Sequence, residues 1–310
     1  MTIAVKRLGR TFFAELTGLD LRRPVADADF RALLAALHEH AVLALPGQDL
    51  DDEAQVAFSE RFGPLEVSIR KDRPRAAKRP EISDISNIDE HGRLLGEADE
   101  RRSYNVGNQL WHTDSSFKAT PAMASLLSGR EVPPPGSGGE TEFADLAAAW
   151  DALPEARRRS LEGQVAEHSI VHSRRLTGYG QFTQAELEML KPVQQAVVRT
   201  HPVTGRKNLY LASHAFRVLG MPEAEGRALL DELTGFATQP QFVWRHEWRP
   251  KDLVIWDNRR VLHRGRPWSD LTHRRVMRRT TVAGVGPTAV DGRAVPERAL
   301  PVEEALRSAA

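Results

Sequence analysis

Apolar residues in the first part of the chain recur with a helical period. Between residues 30 and 37 they fall at i, i+3, i+4 and i+7, and Asp27 or Asp29 can cap the start of that helix. The short apolar run 41–45 predicts a buried strand that ends at a Pro-Gly turn. Asp51 then predicts the cap of a second helix. The chain therefore opens with two helices around a strand.

The pattern changes from about Val106, where short apolar runs alternate with turn signals. The segment 82–88 and these later runs predict strands, and a helix begins at Pro222. Many short strands at this spacing favour an antiparallel sandwich or barrel, so the fold class is mostly β with helical inserts. The predicted strands are NQLWH, AMASLLS, GGETEFA, VAEHSIVHS, QAVVRTH, KNLYLAS, QFVWRHEW, DLVIWDN and RRVMRRTTV.

The length of 310 residues allows two domains or one large barrel. We expect a single domain over residues 1–284, with its β-rich core at about 106–284. Residues 285–310 are rich in proline, alanine and charge, which predicts a loosely packed C-terminal tail.

Composition narrows the range of partners and ligands. Basic and acidic residues number 43 and 42, so the net charge of +1 favours neither nucleic acid nor a membrane surface. The basic run 70–79 lacks interleaved aromatic residues, which fits a loop over an anionic ligand better than a nucleic-acid site.

No apolar stretch reaches membrane-spanning length and no targeting segment is visible, so we expect a cytoplasmic protein. Cysteine is absent, so a metal must use His, Asp or Glu.

The segment Trp111-His112-Thr113-Asp114 offers such ligands. On a strand, His112 and Asp114 would point to the same face. Two histidines and one carboxylate with open positions opposite are typical of non-haem Fe(II) oxygenases. The third ligand must be a distant histidine, and His263 follows a strongly apolar strand. The histidines on or beside predicted later strands are His168, His172, His201, His214 and His263.

Several ordered motifs resemble the Fe(II)/2-oxoglutarate-dependent dioxygenases of the taurine dioxygenase and 2,4-dichlorophenoxyacetate dioxygenase family, and they fit the phenoxyacetate branch better. The resemblance covers roughly residues 1–284. It implies a double-stranded β-helix, which is a jelly-roll, cupin-like barrel, with Fe(II) held by His112, Asp114 and His263. The motifs are FGPLE, ISDISN, NQLWHTDSSF, GGETEFAD, VVRTH, WDNRRVLHRGRPW and RRVMRRTT.

The same resemblance implies the binding site of the co-substrate 2-oxoglutarate. Thr141 matches the threonine of the family, and Arg275 matches the arginine that binds the far carboxylate. The interval from His263 to the arginines is one residue longer than the family pattern, so two pairs of arginines stay open as candidates. On a strand, Arg275 and Arg279 would lie on one face, and Arg274 and Arg278 would lie on the other.

The substrate implied by the resemblance is a small anionic organic acid. Arg279 is one candidate anchor. Lys71 matches a basic position of the phenoxyacetate branch, Asn108 matches a polar substrate-side position, and Ser115 could offer its backbone N–H. For each of them a surface or turn role is the competing interpretation.

The resemblance implies an enzyme that uses Fe(II), 2-oxoglutarate and O₂ and forms succinate and CO₂. With an aryloxyalkanoate substrate, hydroxylation leads to ether cleavage into a phenol and a 2-oxo acid. Two alternatives stay open: the same chemistry on an alkylsulfonate or alkyl sulfate, and a non-catalytic metal-binding barrel protein. The family also implies a homo-oligomer.

Overall fold

The computed structural model describes residues 3–67 and 77–308. Both strands and helices occur along this part of the chain. The strands are β1 (Ala4–Arg7), β2 (Ala14–Thr17), β3 (Val42–Leu45), β4 (Ser83–Asp84), β5 (Ala122–Glu131), β6 (Thr141–Asp145), β7 (Val165–His168), β8 (Val193–Ala196), β9 (Val198–Thr200), β10 (Lys207–Leu209), β11 (Ala215–Val218), β12 (Val243–His246), β13 (Leu253–Asp257), β14 (Val261–Gly265), β15 (Val276–Ala283), β16 (Ala289–Val290) and β17 (Arg293–Ala294). The α-helices are α1 (Asp27–His40), α2 (Asp52–Glu60), α3 (Glu100–Val106), α4 (Leu146–Ala152), α5 (Glu155–Leu161), α6 (Ile170–Arg175), α7 (Gln184–Met189), α8 (Glu223–Ala237) and α9 (Pro301–Ser308).

The largest sheet in the described part of the chain has seven strands in the order β1-β2-β3-β13-β5-β15-β4. Its neighbours are antiparallel except β2 and β3, which run parallel. The N-terminal strands therefore extend the same sheet as the later strands β5, β13 and β15.

A second sheet, with the order β12-β6-β14, packs against the first. Phe143 of β6 contacts Trp256 of β13, with ring centroids 5.5 Å apart. The two rings belong to one cluster of buried apolar residues that draws members from both sheets. This packing brings the ends of β6, β14 and β15 close together.

The two N-terminal helices form where their apolar spacing predicts them. The apolar face of α1 is buried against the large sheet. The side chain of Asp51 accepts a hydrogen bond from the backbone N–H of Ala54 at 2.7 Å and caps α2, as predicted. The predicted cap of α1 is wrong, because Ala26 occupies its N-cap position and Asp27 is already in the first turn. There the acidic side chain interacts favourably with the helix dipole instead.

Three predicted strands differ in the structure. The segment 82–88 contributes only the two-residue strand β4. The stretch VAEHSIVHS is a strand only as far as His168, because the Ser169 hydroxyl accepts a hydrogen bond from the N–H of His172 and begins α6. The stretch NQLWH contains a 3₁₀ helix over Gly107–Gln109 rather than a strand.

The C-terminal tail is attached to the domain, which differs from the loose packing that we expected. Thr288, Leu300 and Glu303 are buried. The Glu303 carboxylate accepts a hydrogen bond from the buried guanidinium of Arg259 at 2.7 Å. In the described residues, no helix has both the length and the apolar composition needed to cross a membrane.

Candidate active site

A short backbone bridge joins the two predicted histidine ligands. The N–H of His112 donates to the carbonyl of His263 at 3.0 Å, and the N–H of His263 donates back at 2.8 Å. His263 lies on β14, whereas His112 makes an isolated bridge outside the named strands. The imidazole rings lie 4.2 Å apart between centroids. The strand predicted for His112 is thus reduced to a single bridge.

Asp114 lies in a turn after this bridge. Its backbone and its carboxylate are both held by hydrogen bonds with residues elsewhere in the chain. Its N–H donates to Oδ1 of Asn258 at 3.1 Å. Its carboxylate accepts hydrogen bonds from the Ser125 hydroxyl, at 2.7 Å, and from the guanidinium of Arg279. The turn, rather than strand alternation, therefore brings the Asp114 carboxylate beside the histidines.

His112, Asp114 and His263 form a buried cluster whose possible ligand atoms all lie within 4.8 Å of one another. Nδ1 of His112 lies 2.7 Å from the carbonyl of Leu110, which can only accept, so this nitrogen bears the proton. Nε2 is then left with a free lone pair for a metal. Two imidazoles and one carboxylate on one side are the donor set that non-haem Fe(II) prefers.

The electrostatics of the cluster favour the metal-binding protonation states. Burial lowers the pKa of His112 to about 4 and the pKa of His263 well below its usual range. Burial alone would raise the pKa of Asp114, but the charge of Arg279 and the two imidazoles lower it to about 2. At neutral pH the cluster therefore offers two neutral imidazoles and one carboxylate, which is the form that binds a cation.

A cavity of about 340 Å³ adjoins this cluster and contains Thr141 and Arg275 on its lining. Arg275 is buried, and its Nε donates to the carbonyl of Gly139 at 3.2 Å. None of the described carboxylates pairs with it, and burial lowers its pKa to about 10. The Thr141 hydroxyl oxygen accepts a hydrogen bond from the indole N–H of Trp248 at 3.0 Å. The cavity thus has a cation and a hydroxyl available for an anion.

The structure separates the four neighbouring arginines. Arg275 and Arg279 both line the cavity. Arg274 instead pairs with Glu131 on the exposed side, and Arg278 pairs with Asp84. The pair Arg275 and Arg279 therefore faces the site, and the alternative pair does not.

A second cavity, of about 190 Å³, also adjoins the cluster. Asn108, Ser115 and Arg279 are part of its lining. The Ser115 hydroxyl donates to the carboxylate of Glu66 at 2.6 Å, and Oδ1 of Asn108 accepts from Arg174 at 3.0 Å. Lys71 lies outside the described residues, so the structure gives no contact for this predicted residue.

Of the histidines considered as third ligand, His263 joins the cluster. His201 instead contacts Asp257, with Nε2 and Oδ2 2.9 Å apart, and His168 stacks on Tyr210. His214 lines the second cavity, 6.0 Å from His112 between ring centroids. It contacts the Ser173 hydroxyl through Nδ1 at 2.7 Å.

Two further residues of the site were not found from the sequence. Arg174 lines the second cavity from α6, directly after a stretch predicted as a strand. Trp248 orients the hydroxyl of Thr141 from a position after β12. A possible signal for Arg174 was its position five residues after Ser169, a residue that can cap a helix, but the strand predicted over this stretch left the helix out. We find no sequence signal for Trp248.

Comparison with known proteins agrees with this geometry. The model of the family described as "Taurine catabolism dioxygenase TauD, TfdA family" matches residues 4–281. The chain is 44% identical over 287 residues to the alpha-ketoglutarate-dependent 2,4-dichlorophenoxyacetate dioxygenase of Burkholderia sp. (strain RASC), covering 92% of this chain and 95% of that protein. It is 37% identical over 285 residues to the (S)-phenoxypropionate/alpha-ketoglutarate-dioxygenase of Sphingobium herbicidovorans, covering 89% of this chain and 93% of the relative.

A solved structure is similar over nearly the whole chain. The crystal structure of AAD-2 in complex with Mn(II) and N-oxalylglycine superposes with a TM-score of 0.86 at 44% sequence identity. The match covers 94% of this chain and all of that one. The resemblance drawn from the motifs is therefore confirmed, and the chain belongs to the taurine catabolism dioxygenase TauD, TfdA family.

Proposed function

We propose that this protein is an Fe(II)- and 2-oxoglutarate-dependent dioxygenase that hydroxylates an aryloxyalkanoate such as 2,4-dichlorophenoxyacetate. The observation that supports it most is the buried cluster of His112, Asp114 and His263, which two cavities adjoin. One of these cavities contains Arg275, which has no carboxylate partner in the described residues and can pair with the acid group of 2-oxoglutarate. The names of the two relatives given above describe alpha-ketoglutarate-dependent dioxygenases of 2,4-dichlorophenoxyacetate and of (S)-phenoxypropionate.

In this proposal His112, Asp114 and His263 hold Fe(II). The bound iron supplies the activation of O₂, coupled to oxidative decarboxylation of 2-oxoglutarate to succinate and CO₂. One oxygen atom of O₂ enters succinate and the other enters the substrate. The hydrogen bond that His112 donates to the Leu110 carbonyl orients the imidazole, and the one that the Ser125 hydroxyl donates to Asp114 orients the carboxylate.

Arg275 and Thr141 bind the far carboxylate of 2-oxoglutarate. A guanidinium pairs with a carboxylate through two parallel hydrogen bonds, and low local dielectric strengthens them. The Thr141 oxygen already accepts from Trp248, so its own proton is free to be donated to the carboxylate. Arg275 would be a costly buried charge without such an anion.

The substrate occupies the second cavity, where Arg279, Asn108, Ser115 and, from outside the described residues, Lys71 are the proposed substrate-side residues. Its lining also has an apolar part that suits an aryl ring, formed by Ile85, Ile88, Phe117 and Ile170. Hydroxylation of the carbon that bears the ether oxygen gives a hemiacetal, which collapses to a phenol and a 2-oxo acid.

We further propose that residues 1–284 form one catalytic domain whose two sheets are the faces of a double-stranded β-helix. Support comes from the cavity beside the cluster, which is lined by Leu127 of the large sheet and Thr141 of the small one. The participation of β1–β3 in the large sheet supports a single domain. A cytoplasmic location and a homo-oligomer remain predictions, and the latter can be checked by light scattering.

The proposal is tested by succinate formation from 2-oxoglutarate with Fe(II), ascorbate and O₂. Phenoxyacetate, 2,4-dichlorophenoxyacetate and taurine are compared, with His112→Ala as the control. The aryloxy acids should stimulate succinate formation and release the phenol, and the control should lose both. Stimulation by taurine or an alkyl sulfate alone would keep the reaction and overturn the substrate class. No succinate with any acid would favour a non-catalytic metal-binding protein.

A further inference from the structure

Arg174 is a buried cation on the wall of the second cavity. It lies on α6, its residue is 6% exposed, and it lines the cavity together with His112 and Asp114. A guanidinium at such a position loses most of its hydration, so it needs hydrogen-bond acceptors and a counter-charge.

The protein supplies only part of that need. One nitrogen of Arg174 donates to Oδ1 of Asn108 at 3.0 Å, which is a neutral acceptor. Its Nε and its NH1 nitrogen are buried and have no hydrogen-bond partner. No ion pair joins Arg174 to a carboxylate within the described residues. The positive charge is therefore left for a group that enters the cavity.

The other described cations on this lining are already neutralised. Lys118 pairs with Glu66 at 2.7 Å, and Arg101 pairs with Asp99 at 2.8 Å. Arg279 pairs with Asp114, which is a proposed metal ligand. Arg174 differs from them because no described carboxylate lies within ion-pair distance of its guanidinium.

The surroundings of Arg174 are shaped to hold its guanidinium in place. Its Cζ lies 4.5 Å from the ring centroid of Tyr104 on α3. A Cβ added at Gly107 would come within 2.1 Å of its NH1 nitrogen. The backbone of Gly107 has an ordinary helical φ of −58°, so a larger residue here would displace the side chain of Arg174 and not strain the backbone.

We propose that Arg174, oriented by Asn108, binds the negatively charged group of the primary substrate. This inference rests on the proposed function and adds a specificity residue to it. The carboxylate of an aryloxyalkanoate would supply both the missing charge and the missing acceptors. Asn108 then acts as a positioning residue for Arg174.

The test compares Arg174→Gln with the wild type and with Arg175→Gln, an exposed arginine at the end of the same helix. Binding of phenoxyacetate to the anaerobic protein loaded with metal and 2-oxoglutarate is measured by calorimetry, and KM is measured in air. Arg174→Gln should weaken the binding of phenoxyacetate and raise its KM, each by ~10- to 100-fold, as expected for a lost charge-assisted pair. Arg175→Gln should change neither.

The neutral analogue phenoxyacetamide separates charge recognition from a merely structural effect. The wild type should prefer the acid strongly, and Arg174→Gln should lose most of that preference while KM for 2-oxoglutarate stays unchanged. Asn108→Ala should show a smaller loss that is absent in the Arg174→Gln background. Arg174→Lys should recover part of the preference because it restores the charge.

Equal weakening of acid and amide would overturn the proposal, and so would an unchanged KM for the acid. If the wild type consumes only an alkyl sulfate or taurine, the aryloxyalkanoate function fails, and the same variants with that anion still decide the role of Arg174. If no acid binds to the wild type, the role of Arg174 fails together with the substrate class.

Discussion

At the residue scale, a shift of one residue along the strand decides which arginine side chains face the site. Alternation along a strand predicts the two pairs, but it cannot say which pair points inward. The structure resolves this through partners: Arg274 and Arg278 have carboxylates, whereas Arg275 has none in the described part of the chain. A buried arginine without a carboxylate is the feature that marks a ligand site.

The arginine beside Thr141 gives a direct prediction. Arg275→Gln should raise KM for 2-oxoglutarate by ~10- to 100-fold, because a buried charge-assisted pair is lost. Arg275→Lys should recover little, since an ammonium cannot reproduce the bidentate geometry. Arg274→Gln is the matched control, because that side chain lies on the exposed side. An unchanged KM in Arg275→Gln would remove this residue from the co-substrate site.

Trp248 should act through the hydroxyl of Thr141. Trp248→Phe removes the donor that leaves the Thr141 proton free, so KM for 2-oxoglutarate should rise roughly three- to tenfold. In a Thr141→Val background the same change should have little further effect. Trp244→Phe is the control, since Trp244 packs on Phe13 at 5.5 Å and is paired in register with Phe143, whereas the donor to Thr141 is Trp248. Additive effects of the two substitutions would contradict the coupling.

At the scale of elements, the sequence predicts the helices and strands that a local apolar pattern defines. Helices α1 and α2 and strands β3, β5 and β13 follow from apolar spacing alone. The ligand pair His112 and Asp114 has a strand-like spacing, yet it lies at an isolated bridge and a turn. Its geometry depends on Asn258, a residue far away in the chain, and no local pattern reports such a contact.

Asn258 should therefore be needed for metal affinity. It accepts hydrogen bonds from the N–H of Asp114 and from the indole of Trp256, and it donates to Ser125. Asn258→Ala should weaken binding of the divalent metal by ~10- to 100-fold, in the range seen for residues that support metal ligands. It should also lower the free energy of unfolding by about 2 kcal/mol.

Asn208→Ala provides the control for this prediction. Asn208 is equally buried, but it lies on β10, outside the metal cluster. Its loss should reduce stability and leave metal affinity unchanged. Equal metal affinity in wild type and Asn258→Ala, measured by equilibrium titration, would show that the turn does not depend on Asn258.

At the scale of the whole molecule, the tail is part of the folded domain. Composition predicts loose packing because proline, alanine and charge dominate it. It cannot reveal that one acidic side chain, Glu303, is fully buried against Arg259 and also contacts His38 at 2.9 Å. Only the folded chain brings these residues together, since they are distant in sequence.

This buried pair predicts a pH dependence of stability. Burial alone would raise the pKa of Glu303, but the charge of Arg259 and the contact with His38 lower it from 4.5 to about 2. A lowered pKa in the folded state means that the stabilisation is complete above pH 4.5 and is lost as the pH falls towards 2. In the Glu303→Gln variant, the free energy of unfolding should therefore fall less steeply over this pH range than it does in the wild type.

Urea denaturation of the wild type and of Glu303→Gln at several pH values measures this difference. At pH 7 the variant should be about 2 kcal/mol less stable, and the gap should close in acid. Glu304→Gln is the neighbouring control, because Glu304 is exposed. A gap that stays constant from neutral pH to pH 3 would contradict the role assigned to this carboxylate.

The central claim is that the cluster of two histidines and one aspartate couples consumption of 2-oxoglutarate to oxidation of an aryloxy acid. The most direct measurement is the ratio of succinate to phenol formed from 2,4-dichlorophenoxyacetate with Fe(II) and O₂. Wild type should form the two products in equal amounts, and His112→Ala should form neither. Phenol without succinate, or equal activity in His112→Ala, would contradict the claim.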